Sequence, residues 1–330
     1  MDDQHRALGG GDPGDSLPAL ILDQVAGAVT YSYLAHAKFN LYLAVLGKRA
    51  DGFHEVDTLL QSLALSDRLD LTPRADGRLT VVADAADVPD GEANLVWRAL
   101  ALLRRRSGVE RGLRVEITKR SPARAGLGGG SADAACALCA ANRIWGADLR
   151  EEALEALAAE IGSDVPFFVR GGTQRCRGRG ERVSRVPDLP RTKWVIVKPR
   201  GDLATADVYA RVTPSLTTSS AKSTILLEAL AKHDVSQVVA SVFNDLEAPA
   251  EEILPEAALV RAWMGQLGLS DRVMAGSGSA WVGHCRHDSV AARAVTEGRR
   301  RGWRVFVTET VARGWSEAKH GSPQRRSTGM

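Results

Sequence analysis

Between Lys38 and Val45 the chain alternates, with Phe39, Leu41, Leu43 and Val45 pointing one way and Lys38, Asn40 and Tyr42 the other. A period of two belongs to a half-buried strand, so this stretch predicts a strand with Lys38 and Asn40 on one face. Leu113, Val115 and Ile117 predict a second strand that runs straight into a glycine-rich stretch. The alanine-dominated run Ala132–Asn142 predicts a helix directly after it. Glu151–Ile161 predicts another, with Leu154, Leu157 and Ile161 on one face and Gly162 placed to end it. Trp194–Val197 reads as a short strand broken by Pro199 and Gly201. A helix near Ser223–Lys232, a glycine-rich segment at Met274–Gly283 and a strand at Trp303–Val307 follow. The mixture carries no internal repeat, and the fold class is α+β.

Leu189-Pro190 marks a domain boundary, giving domains over residues 26–190 and 191–315. The Gly- and Asp-rich residues 1–25 and the stretch 316–330 read as disordered tails. A net charge of +3 over 330 residues gives no reason to expect nucleic acid as a partner, though a mildly basic surface suits an anionic small molecule. No run of eighteen apolar residues is present and the first twenty residues lack an apolar core, so neither a membrane span nor a secretory signal is expected. The expected setting is cytoplasmic, as a monomer or homodimer. Cys136 and Cys139 spell C-x-x-C, but no second pair accompanies them and they sit in the alanine-rich run; they read as small buried helix residues. The triplets Arg104–Arg106 and Arg299–Arg301 read as solvated helix ends rather than phosphate contacts.

The strongest chemical signal is Ser121-Pro-Ala-Arg-Ala-Gly-Leu-Gly-Gly-Gly-Ser131, between a strand and a helix. Glycines let backbone N–H groups face a ligand, and a helix N-terminus adds unpaired donors and a positive dipole end. Ser131 is placed to cap the helix. No lysine follows the glycines as a Walker A loop requires, and counting from Gly126 and Gly128 a G-x-G-x-x-G motif fails at Ser131. By itself the stretch could also be a flexible connector. In Gly162-Ser-Asp-Val-Pro-Phe-Phe168, Pro166 disfavours a helical Val165 and keeps the segment extended, with Asp164 among apolar neighbours. Asp164 could be an active-site carboxylate or a capping aspartate. Phe53-His54 could stack on a heterocycle or simply pack, and Ala275-Gly-Ser-Gly-Ser279 could line a ligand or make a hairpin turn.

Taken in order, these segments resemble the GHMP kinases, the family named for its galactose, homoserine, mevalonate and phosphomevalonate members. Lys38-Phe-Asn40 matches the family's Lys-x-Asn strand, Pro122–Ser131 its P-x-x-x-G-L-G-x-x-S loop, and Gly276-Ser277-Gly278 its C-terminal G-S-G loop. Within the family the likeness is nearest to the kinases that phosphorylate a CDP-linked methylerythritol on the non-mevalonate route to isoprenoids. It rests on Asp51-Gly-Phe-His54, Gly128-Gly-Gly-Ser-Ala-Asp-Ala-Ala135, Gly162-Ser-Asp-Val-Pro-Phe167, Asn94-Leu-Val96, Gly178-Arg-Gly-Glu181 and Asn244-Asp-Leu-Glu247.

The resemblance implies a ribosomal-protein-like N-terminal domain and a ferredoxin-like C-terminal one, with ATP and Mg²⁺ as cofactors. It implies Asp164 as the catalytic carboxylate and Lys38 as its partner. It implies phosphate contacts from Pro122, Ala123, Arg124, Ala125, Gly126, Leu127, Gly128, Gly129, Gly130 and Ser131. It further implies substrate contacts from Asn40, Phe53, His54, Thr205, Tyr209, Gly276, Ser277 and Gly278, with Phe53 and Tyr209 sandwiching cytosine. No Mg²⁺ ligand is assigned. Arg124 stands where a small residue is usual, and Ala275 where a serine is. Two alternatives stand beside this reading: a homoserine- or mevalonate-type kinase of the family, and a non-catalytic binding protein of the same fold.

Overall fold

The computed structural model describes residues 29–213, 221–269 and 271–318, so the expected tail over 1–25 lies outside the described residues. Two sheets organise them. The first has eight strands: β1 (Tyr31–Lys48), β2 (His54–Arg74), β3 (Leu79–Ala83), β4 (Gly112–Thr118), β5 (Thr173–Gly178), β6 (Arg182–Arg185), β8 (Phe243–Asn244) and β12 (Trp315–Glu317). The second runs in the order β11-β7-β10-β9, from β7 (Lys193–Lys198), β9 (Arg272–Met274), β10 (Trp281–His284) and β11 (Arg304–Glu309). Helices α1 (Leu95–Ser107), α2 (Gly129–Trp145), α3 (Glu151–Ile161) and α4 (Val165–Arg170) accompany the first sheet. The remaining helices are α5 (Thr205–Ala210), α6 (Ala221–Ala231), α7 (Val235–Ala240), α8 (Glu247–Ile253), α9 (Pro255–Gln266) and α10 (Asp288–Arg300). Among the described residues no helix is long and apolar enough to cross a membrane.

The expected strands and helices form, and where they depart from expectation the reasons are local. Strand β1 carries a bulge: Asn40 pairs with Leu60 but Tyr42 with Leu59, so Leu41 is the extra residue. A bulge of one residue reverses the alternation beyond it. Tyr42 therefore leaves the face of Lys38 and Asn40, joins Phe39 in the core and stacks on Phe243 at 5.5 Å. Leu43 turns to the face that Tyr42 was expected to share. The segment after Asp164 is not extended: Val165–Arg170 is helix α4, with Pro166 in its first turn, where a missing N–H costs nothing. Gly162 does end α3, but with extended φ of −178° rather than the left-handed turn. Ser316 and Glu317, expected to open a tail, instead pair with Leu34 and Tyr33 of β1.

Helix α2 is buried on nearly every side, which its run of Ala and Cys permits by letting the sheet and the α1, α3 and α4 helices approach closely. Cys136 and Cys139 are buried free thiols, and burial holds both well above the usual thiol value. The two arginine triplets close α1 and α10; Arg106 meets Glu160 at 2.9 Å and Arg104 donates to the Gly77 carbonyl. A second core cluster joins the sheets through Phe39, Leu59, Leu63, Trp194 and Ile196. Val311 N donates to Ser62 O, and Leu65 N to Thr308 Oγ1 at 2.9 Å, across the same seam. The chain passes from β6 to β7 through Leu189-Pro190, and β8 and β12 return to the first sheet.

Glu247, in the first turn of α8, accepts the Met274 amide at 3.0 Å, and burial pushes its carboxyl up to about 7. A carboxyl whose folded value is raised favours the folded state at low pH, and that contribution is lost as pH rises through the folded value. Glu247→Gln keeps the hydrogen bond and cannot ionise. Its stability relative to wild type should improve by about 2 kcal/mol between pH 5 and pH 8. Urea unfolding at both pH values measures the difference, and a gap that does not change with pH would refute the assignment.

Candidate active site

A cleft of about 1210 Å³ opens where the first sheet, the loop before α2 and the β9–β10 hairpin meet, and it is lined by every candidate catalytic, phosphate-contact and substrate-contact residue named from the sequence. Lys38, only 4% exposed, extends from β1 into it. Its ammonium donates to Asn40 Oδ1 at 3.0 Å and lies 3.7 Å from Asp164 Oδ2. Asn40 is a bracket: Oδ1 also accepts the Gly276 amide at 2.9 Å, and Nδ2 donates to Thr58 Oγ1 at 2.8 Å. The β1 strand thereby fixes both the lysine and the G-S-G loop. That loop is a hairpin turn and a cleft wall at once, with Ala275 N donating to Ala280 O at 2.9 Å.

The glycine-rich loop arrives with a different cap from the one expected. Helix α2 begins at Gly129, so Ser131 lies inside its first turn, and the cap is Gly128 at φ 72° with no side-chain bond. Glycine alone tolerates that turn here, because a Cβ on Gly128 would meet Phe168 Cζ at 2.7 Å. The first-turn amides of Gly129, Gly130 and Ser131 have no side-chain cap, which leaves the helix N-terminus as an anion site beside the Lys38–Asp164 pair. Arg124 is exposed at the rim, with a left-handed φ of 48°.

Beneath the loop lies a buried network the sequence did not reveal. Asp67 of β2 accepts from the Arg120 and Ser121 amides at 2.6 and 2.8 Å, from Ser121 Oγ, and from Lys119 Nζ. Lys119 also reaches Asp133 on α2 at 2.6 Å. One ammonium thus faces two carboxylates. Burial pushes the Asp133 carboxyl up to about 7 against the opposing pull of Lys119, and its Oδ1 has no hydrogen-bond partner. A Cβ on Gly129 would sit 2.6 Å from Ser121 Oγ, so the loop lies directly on this network. Asp67 and Lys119 are 52 residues apart, and no local pattern connects them.

Another part of the cleft is aromatic. His54 and Tyr209 stand 5.1 Å apart at 33°, and the Arg179 guanidinium lies 4.8 Å above the ring of half-exposed Phe53. His54 is held below its ordinary value by burial and then by Lys48, which favours the neutral imidazole, a donor at one nitrogen and an acceptor at the other. Burial and then Asp164 raise the Tyr209 phenol above its usual range. Thr205 Oγ1 meets Ser277 Oγ at 2.9 Å, tying α5 to the G-S-G loop. Elsewhere the lining includes Val88, Pro89, Ala93 and Leu95, an apolar stretch absent from the sequence reading except for Leu95; Leu95 abuts Gly130.

Residues 94–172 match the family described as GHMP kinases N terminal domain. The chain is 41% identical to the 4-diphosphocytidyl-2-C-methyl-D-erythritol kinase of Pelotomaculum thermopropionicum, over 84% of this chain and 96% of that one. It is 38% identical to the enzyme of the same name from Shouchella clausii, over 86% and 93%. A solved 4-(cytidine 5'-diphospho)-2C-methyl-D-erythritol kinase superposes with a TM-score of 0.73 at 36% identity, covering 84% of this chain and 98% of that one. A homoserine kinase from Cytophaga hutchinsonii, at 18% identity and TM-score 0.69 over 90% and 99%, shares the fold alone. The chain belongs to the 4-diphosphocytidyl-2-C-methyl-D-erythritol kinases of the GHMP kinase family.

Proposed function

We propose that this protein transfers the γ-phosphoryl group of ATP to the 2-hydroxyl of 4-diphosphocytidyl-2-C-methyl-D-erythritol, a step of non-mevalonate isoprenoid biosynthesis. The observation that carries the proposal is the Lys38–Asp164 pair, 3.7 Å apart, in one cleft with an uncapped helix N-terminus and the His54–Tyr209 aromatic pair. Asp164 is the group that accepts or orients the hydroxyl proton, and its half-exposed carboxylate leaves it open to a substrate. Lys38 stabilises the charge that develops on the nucleophile and on the transferring group. The amides of Gly129, Gly130 and Ser131 bind the triphosphate, and the apolar lining from Val88 to Leu95 takes the adenine. His54 reads the cytosine edge and Tyr209 and Phe53 supply its stacking faces. We read residues 26–190 as the ribosomal-protein-like domain of this fold and residues 191–315 as the ferredoxin-like one.

Magnesium enters such reactions on the nucleotide, where it neutralises the β- and γ-phosphates. Among the described residues no cluster of three or more His, Cys, Asp or Glu side chains forms a cage. An ion carried by phosphates needs only one or two protein oxygens, and the Ser131 hydroxyl, in the first turn of α2 on the cleft wall, would supply one. Coupled-assay ATP consumption should appear with the CDP-linked methylerythritol and not with homoserine or mevalonate. Turnover of either of those in its place would sink the proposal.

A further inference from the structure

The turn between β5 and β6 brings a cation to the cleft that no role above requires. Its tip, Gly178-Arg-Gly-Glu181, is held by its own side chain: Glu181 accepts the Arg179 amide at 2.6 Å. Gly178 turns the chain there with a left-handed φ of 79°, which favours glycine. The Glu181 carboxylate is thus engaged at the backbone. Asp51, the other acid that feels Arg179, is bound by Arg49 at 3.1 Å. The Arg179 guanidinium has no carboxylate within 4 Å among the described residues, and it rests on the Phe53 ring.

The next residue points along the cleft. A Cβ on Gly180 would stand 3.7 Å from Asp164 Oδ1, so two consecutive residues span the distance from the aromatic end to the carboxylate. A substrate with its base at Phe53 and His54 and its reacting hydroxyl at Asp164 must carry its diphosphate past this tip. An uncommitted guanidinium matches phosphate oxygens in a two-point geometry, and its arm is exposed and able to swing from the ring to the anion. We infer that Arg179 binds the diphosphate linking the two ends of the substrate, and that it sets the preference for a cytidine diphosphate ester over an uncharged cytidine derivative. The inference rests on the substrate reading above.

Arg179 is exposed and its backbone amide remains in an alanine variant, so Arg179→Ala should fold as wild type does. Calorimetric titration of the full chain with CDP and with cytidine tests the inference. Arg179→Ala should weaken CDP about tenfold or more, the worth of one charge-assisted contact, while cytidine changes by less than about twofold. Arg179→Lys should recover part of the CDP affinity, and KM for ATP should stay unchanged in both variants. Unchanged CDP affinity in Arg179→Ala overturns the inference. So does an equal loss for CDP and cytidine, which would make Arg179 only a wall on Phe53. A wild-type protein that binds neither ligand would overturn the cytidine reading itself, and this inference with it.

Discussion

Asp164→Asn is expected to lower kcat by about 10²–10⁴, the usual worth of a positioned proton acceptor, while leaving ATP affinity close to wild type. The amide keeps the shape of the carboxylate but neither accepts the hydroxyl proton nor faces the Lys38 ammonium as a charge. In the proposed binding mode the nucleotide rests on backbone amides of the loop and first turn of α2, whereas Asp164 stands at the start of α4. Lys38→Met should behave alike in turnover. Its fold should survive, because Asn40 Oδ1 retains the Gly276 amide after the ammonium is gone. Steady-state kinetics together with nucleotide titration separate the two quantities. A variant with near-normal kcat would show that the pair is not the catalytic one, whereas a joint loss of ATP binding and turnover would point to a collapsed cleft.

Much of this site was legible because it is made of short segments. Lys38 and Asn40 lie two apart on a strand, the loop from Ser121 to Ser131 is contiguous, and Phe53-His54 and Gly276–Gly278 are each one turn. Local chemistry decides such pieces, so reading them in order was enough to assemble the cleft. The departures each turn on one or two residues. Leu41 bulges out of register and sends Tyr42 to the other face, where Phe243 and Asp57 receive it. Helix α2 starts two residues before Ser131 because Gly128 can take the left-handed turn against Phe168. Pro166 opens a helix instead of preventing one, since its missing N–H falls in a first turn that has no partner to lose. The Asp67–Lys119–Asp133 network had no signal as a network, although Asp133 lies in a segment quoted for the family likeness. Each member is an ordinary charged residue until β2, the loop and α2 bring the three together.

The largest structural effect should follow Gly126→Ala, and its size comes from backbone rather than side-chain contact. Gly126 has φ of 76°, and a Cβ on it would sit 1.7 Å from the Ala275 carbonyl oxygen and 2.6 Å from its carbon. No rotamer change relieves that overlap, so either the phosphate loop or the G-S-G loop must move. Both are tied: Lys38 N donates to Leu127 O at 3.0 Å, Ala280 N to Ala125 O at 3.3 Å, and Gly276 N to Asn40. Gly108 supplies the control, with nearly the same φ of 71° at the end of α1 and nothing within 4 Å of the added carbon. Gly108→Ala should cost about 1 kcal/mol, the strain of a left-handed alanine. Gly126→Ala adds to that the displacement of packed chain, about 1–3 kcal/mol more. Because the displaced loop carries the amides proposed to bind phosphate and its neighbour brackets Lys38, kcat/KM should also fall by about 10²-fold. Urea unfolding and kinetics on the two variants give the comparison. Equal stability losses with full activity in both would mean that the loops are not pressed together as the structure has them.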